Sequence, residues 1–143
     1  MKKLILASEQ IDSDKIKDNF KKLVEKNPEN IKVLILYTRD KKYSLEKIKD
    51  QFKSLNIITK NILWINISEK VNLDKFDIIY VYGGNAYTYL HELRLTGLDN
   101  IIKNRVQEGK LFIGTSAGSI IAGPDITVTK FWNGTDPNEV DLT

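Results

Sequence analysis

The chain has 143 residues, 41% hydrophobic and 29% charged, with a formal net charge of +3, one histidine and no cysteine. That length fits a single domain with a core of its own, and the lack of cysteine excludes disulfides, thiolate metal sites and a cysteine nucleophile. The 22 Lys and Arg are scattered among 19 Asp and Glu, which reads as solvated helix faces rather than the clustered charge of a nucleic-acid site, and no apolar run approaches the roughly eighteen residues of a membrane span.

Met1-Lys2-Lys3 before Leu4-Ile5-Leu6-Ala7 imitates a signal peptide, but the apolar run is short and meets Glu9 and Asp12 at once. Lys3 to Ala7 is therefore expected as a first core strand, and a cytoplasmic location follows as the default. Asp12 or Ser13 can cap a helix whose Ile16, Phe20, Leu23 and Val24 recur at helical spacing, with Pro28 closing the unit. Ile31 to Tyr37 is β-branched and almost wholly apolar, as befits a strand covered on both faces. Ser44 is placed to cap a second helix carrying Leu45, Ile48, Phe52 and Leu55 on one face.

Ile62 to Ile67 alternates around Trp64 as a third strand, and Asp77 to Tyr82 is a fourth, broken by Gly83-Gly84-Asn85. Ala86 to Leu95 and Leu98 to Val106 read as two short helices split near Gly97, and Gly109 leads into a fifth strand, Lys110 to Thr115. Beyond Pro124 the pattern weakens: Ile126 to Thr129 is a candidate short strand and 133–138 is loop chemistry. Repeated strand-helix-strand units predict an α/β fold, an open and mostly parallel sheet with helices on both faces. In such sheets the ligand site lies beyond the carboxyl ends of the strands.

Two glycine-bearing loops fall at that edge. Gly114-Thr115-Ser116-Ala117-Gly118 joins an apolar strand to an apolar helix start, the pattern of a nucleophile elbow; an ordinary strand-to-helix turn with Ser116 as helix cap is the alternative. In an elbow the N–H of Ala117 would face a developing oxyanion, and Gly83-Gly84-Asn85 is suited to supply a second donor because glycine lets the backbone approach a substrate closely. No phosphate-loop pattern is present, which disfavours nucleotide binding, and no metal or other cofactor is expected.

The pair Tyr82-Gly83-Gly84-Asn85-Ala86 and Gly114-Thr115-Ser116-Ala117-Gly118 resembles the serine peptidases typified by dipeptidase E, the aspartyl dipeptidase, and cyanophycinase. The resemblance runs from the amino terminus to about Pro137 and implies a flavodoxin-like, class I glutamine amidotransferase-like fold. It also implies hydrolysis of small peptides, often after an acidic residue, by a serine nucleophile and a histidine base. By position, Ser116 matches the nucleophile, Gly84 and Ala117 the oxyanion donors and Asn85 the conformational partner of that loop, with Gly83, Asn85 and Tyr87 close enough to touch a substrate. Glutamine amidotransfer shares the implied fold but needs a cysteine at the elbow.

Two departures from the family pattern stand out. The resemblance implies a histidine roughly ten residues beyond Thr143, so the chain is expected to be a single peptidase-like domain over 1–143 lacking its C-terminal segment and its general base. Phe131 stands where dipeptidase E carries an acidic residue; Asp125, Asp136 and Asp141 are the nearby alternatives, with Asp136 favoured although an Asp before Pro commonly forms turns. His91 falls about two turns into the helix after Gly-Gly-Asn, roughly 9 Å along it at 1.5 Å per residue, and reads as a surface or satisfied side chain. A missing final strand would leave a sheet edge open to dimerisation. The competing functional expectation is an inactive module that binds a peptide or small carboxylate in the same pocket.

Overall fold

The computed structural model describes residues 1–38 and 45–127. Five strands, β1 (Lys3–Ala7), β2 (Val33–Tyr37), β3 (Ile62–Asn66), β4 (Ile78–Val81) and β5 (Leu111–Thr115), form one sheet. Its order is β1-β5-β4-β2-β3 and every pairing is parallel, so the chain has the α/β architecture its alternation predicts. Read from the far edge, β3-β2-β4-β5 repeats the flavodoxin order 2-1-3-4 begun one strand later, and β1 takes the fifth place.

The strands are four or five residues long. Ile31 and Lys32 precede β2 rather than extend it, and Asp77 and Tyr82 flank β4. Asp77 instead accepts from the Lys32 N–H at 2.9 Å and pairs with Lys26 at 3.0 Å, tying the amino-terminal edge of the sheet together.

Helices cover both faces. On one, α1 (Asp14–Leu23) and α2 (Leu45–Ser54) deliver Phe20, Ile48 and Phe52 onto Ile5, Val33, Ile35, Ile78, Tyr80, Leu111 and Ile113. On the other, α3 (Ala86–Thr96), α4 (Leu98–Gln107) and the short α5 (Ala117–Ile121) bring Tyr89, Leu93, Ile102, Val106 and Ala117 onto Leu34, Leu36, Ile79, Val81 and Phe112. Alternate residues of β2, β4 and β5 thus enter opposite cores, which is why β2 and β4 read as unbroken apolar runs, whereas Leu4 and Leu6 of β1 and Leu63 of β3 are exposed.

Helix boundaries follow local chemistry. Ser13, not Asp12, caps α1, its side chain accepting from the Ile16 N–H, and Lys21 and Lys22 in the last turn complement the helix dipole. Gly97 at φ 73 separates α3 from α4, a left-handed conformation that costs glycine little. The expected cap Ser44 lies outside the described residues. Ile126 and Thr127 are not in a strand; Asp125 accepts from the Thr127 N–H at 2.8 Å in a turn, and the rest of that expected strand lies outside the described residues. No described helix is long and apolar enough to cross a membrane.

Candidate active site

The carboxyl ends of the strands are in step, with Leu36 opposite Val81, Val81 opposite Gly114 and Ala7 opposite Thr115. The loops after β4 and β5 therefore emerge side by side. The chain runs outward from β2 to β3, then crosses back to β4 and β5, so the strand order reverses between β2 and β4, where parallel sheets open a crevice. The Gly83-Gly84 loop leaves the sheet beside that crevice.

Ser116 sits at φ 50, ψ −120, one of two non-glycine residues with positive φ among those described. Such backbone costs about 1–3 kcal/mol and persists only where surrounding contacts dictate it. Here the Ser116 N–H donates to the Ala7 carbonyl at 3.0 Å, extending the β1–β5 pairing, while its own carbonyl accepts from the N–H groups of Ser119 and Ile120 at 2.9 and 3.2 Å. The Ser119 hydroxyl adds a third bond to that carbonyl at 2.6 Å. Both sides of the residue are held, one by a strand and one by a helix.

The Ser116 side chain makes no capping hydrogen bond to α5, in contrast to Ser13 on α1. Of the two sequence readings of this serine, the cap is thus the one the geometry lacks. Glycines make the tight junction feasible: a Cβ on Gly114 would collide with the Gly118 carbonyl, and a Cβ on Gly118 would collide with the Val81 carbonyl. Gly118 thereby lets α5 rest on β4 as well as on β5.

The two loops meet at Gly83, where a Cβ would lie 3.3 Å from Ser116 Cβ and 3.5 Å from its Oγ. At Gly84, φ 158, a Cβ would fall 2.8 Å from Cε2 of the Tyr89 ring. Asn85 caps α3, its Oδ1 accepting from the N–H groups of Tyr87 and Thr88 at 2.9 and 3.4 Å, and so fixes where the loop ends. Ala117 is buried at the first position of α5, where an N–H has no intrahelical acceptor. Tyr87 is 6% exposed, and its hydroxyl has no hydrogen-bond partner among the described residues.

Three buried polar side chains that sequence reading left as packing or did not single out support these loops. The Tyr80 hydroxyl and Thr115 Oγ1 share a hydrogen bond of 2.8 Å beneath the turn at Ser116. Tyr80 also meets the Phe52 ring edge-on at 5.4 Å. Burial pushes the Tyr80 hydroxyl up to about 12, with the Thr115 bond pulling the other way, and burial raises Tyr89 well above the ordinary tyrosine range. Both remain neutral hydroxyls at any physiological pH. Alternation along β4 places Tyr80 in a core, but nothing local in the sequence pairs it with Thr115.

His91 is half-buried on α3. Asp125 is engaged with its own turn, while Asp136, Phe131 and Asp141 lie outside the described residues. A cavity of about 390 Å³ lies elsewhere, between β1 and α4, lined by Leu4, Leu93, Ile102, Val106 and Phe112 among others and by neither Ser116 nor the Gly83-Gly84 loop.

Comparison with known proteins bears on this arrangement. The sequence profile of peptidase family S51 matches residues 4–141. An uncharacterized peptidase of Listeria innocua is 36% identical over 96 residues, 67% of this chain and 44% of that protein. Its counterpart in Listeria monocytogenes is 34% identical over 113 residues, 79% of this chain and 53% of that protein. A peptidase E of Shewanella amazonensis is 39% identical over 88 residues, 60% of this chain and 36% of that protein. A solved structure from Listeria monocytogenes assigned as a peptidase E protein superposes with a TM-score of 0.80 at 30% identity, covering 100% of this chain and 72% of that one. The chain spans about half the length of the two Listeria relatives. With its profile matched along nearly its whole length and its fold shared with a peptidase E structure, the chain belongs to peptidase family S51.

Proposed function

We propose that this chain carries the nucleophile and oxyanion site of a serine peptidase that hydrolyses small peptides through an acyl-enzyme on Ser116. The observation that carries the reading is the backbone of Ser116: a strained positive φ, held from both sides, with a side chain not spent on capping the helix it precedes. A strand–turn–helix that presents a serine in this way is a nucleophile elbow. Attack by Oγ on a scissile carbonyl forms a tetrahedral intermediate, and the N–H groups of Ala117 and Gly84 stabilise its oxygen. A histidine takes the Ser116 proton and returns it to the leaving amine; water then releases the acyl group.

The sole histidine of the chain, His91, belongs to α3, so the base in this mechanism is a histidine of the part of the family's length that this chain does not span. Loss of the base alone lowers rate by several powers of ten while the oxyanion donors persist. The test compares dipeptide hydrolysis by this chain and by a form extended to the relatives' full length. Measurable hydrolysis by the extended form, abolished in Ser116→Ala, supports the reading; hydrolysis that survives Ser116→Ala overturns it. The location of His91 also favours a second reading, in which the isolated chain binds a peptide or small carboxylate without turning it over. Ligand binding at the Gly84 loop with no hydrolysis by either form is the outcome that selects it.

A further inference from the structure

We infer that Tyr89 is a positioning residue: its hydroxyl and ring hold the Gly83–Gly84 peptide and thereby set the direction of the Gly84 N–H. The inference rests on the reading above, in which that N–H is an oxyanion donor.

Tyr89 is fully buried on the first turns of α3, and its hydroxyl lies in the crevice between β2 and β4. From there its one proton is shared between the Leu36 carbonyl of β2 at 3.4 Å and the Gly83 carbonyl at 3.5 Å, and its oxygen also takes part in a backbone hydrogen bond at Thr38. The ring closes the other side of the loop, since a Cβ at Gly84 would fall 2.8 Å from Cε2 and 3.6 Å from Thr38 Oγ1. A single side chain thus bridges the end of β2 to the loop after β4, across the place where the strand order reverses.

The physical consequence follows from peptide geometry. The described backbone has no cis peptide, and in a trans peptide the C=O and N–H point in opposite directions. Turning the Gly83 carbonyl inward to Tyr89 therefore turns the Gly84 N–H outward, on the side of the loop away from the core. A glycine pair is the peptide most prone to flip, having no Cβ on either side to restrict it. Asn85 holds the far end of the loop, through α3, and Gly83 faces Ser116 with no side chain of its own. The Tyr89 hydroxyl and ring are contacts that favour one orientation of that plane. An oxyanion donor must be aimed before the charge develops, because its advantage lies in not having to reorganise.

The test uses the form extended to the relatives' full length and a fluorophosphonate probe, with labelling followed by intact mass so that kinact is resolved from KI, and with amide hydrogen exchange at Gly83 and Gly84 followed by NMR on the same samples. Tyr89→Phe, which keeps the ring, is expected to lower kinact about tenfold, a fraction of the ~10²–10³ lost when an oxyanion donor is removed. KI should stay unchanged, and exchange at Gly84 should quicken while core amides of β2 and β4 stay protected. Gly84→Ala, whose Cβ must push the loop off the ring, is expected to show the same loss of kinact and serves if Tyr89→Phe does not fold. Labelling that survives Ser116→Ala refutes the serine-peptidase reading and leaves the exchange data to judge Tyr89. Wild-type kinact together with wild-type exchange at Gly84 in Tyr89→Phe overturns the positioning role, as does a change confined to KI. If the wild-type chain is not labelled at all, exchange decides: acceleration confined to the loop supports the role, and no acceleration overturns it.

Discussion

At the scale of single residues, the chain accepts local cost at Ser116. Ser116 occupies backbone that glycine would adopt freely, and its neighbours Gly114 and Gly118 are small because carbonyl oxygens stand where side chains would be. Ser116→Gly is therefore expected to be at least as stable as the wild type in urea unfolding, the relief of about 1–3 kcal/mol of strain outweighing the extra freedom of the unfolded chain. The same variant should lose all reaction with fluorophosphonate. A Ser116→Gly midpoint clearly below that of Ser116→Ala would show that the turn is not strained. Gly118→Ala places a methyl group against the Val81 carbonyl, backbone against backbone, and should cost about 1–3 kcal/mol or more, as overpacked cores do. A thermal melt indistinguishable from wild type would contradict the packing of α5 on β4.

At the scale of elements, the buried Tyr80–Thr115 bond joins β4 to β5 at the point where both strands end. Tyr80→Phe leaves the Thr115 hydroxyl buried and unpaired, at a cost of about 1–3 kcal/mol, whereas Tyr80→Phe with Thr115→Val should cost less than the sum of the two single changes. A double-mutant cycle by denaturant unfolding measures this, and strict additivity would deny the bond. Asn85→Ala removes the cap of α3 and is expected to cost about 0.5–2 kcal/mol. Because the cap also ends the Gly83-Gly84 loop, the loss should be accompanied by faster amide exchange at Tyr87 and Thr88. Unaltered exchange there would show that the first turn of α3 does not depend on it.

For the whole molecule, the buried tyrosines link stability to alkaline pH. Tyr80 has a folded value near 12 against 10.0 in a free chain. The unfolded state sheds this proton first, so it binds fewer protons than the native state between those limits. Stability should be level below pH 10 and fall as pH rises toward 12, by about 2–3 kcal/mol from Tyr80 alone, with Tyr89 acting in the same direction. Urea midpoints across pH 8 to 11.5 check the sign, and Tyr80→Phe should flatten part of the decline. A midpoint that does not fall above pH 10 would mean that Tyr80 is not buried as a neutral hydroxyl.

Much of this molecule is legible from local pattern. Side-chain periods of 2 and 3.6 separate strand from helix without knowledge of neighbours, which is why Val33–Tyr37, Ala86–Thr96 and Leu98–Gln107 lie within a residue or two of expectation. The tight strand-to-helix turn at Ser116 is legible for a similar reason: Gly114, Ser116 and Gly118 are close in sequence, and the steric demand they meet acts within one turn and its flanking elements. Such statements needed only the chain's own short-range chemistry. What the tertiary structure decided is which distant residues share a space. Tyr80 and Thr115 are 35 residues apart, and Tyr89 and Leu36 are 53 apart. Each pair meets only because the sheet adopts the order β1-β5-β4-β2-β3 in one register. Register and strand order are set by the sum of many apolar contacts rather than by any local signal, so the supports beneath Ser116 and the Gly83-Gly84 loop become visible only once the sheet is assembled.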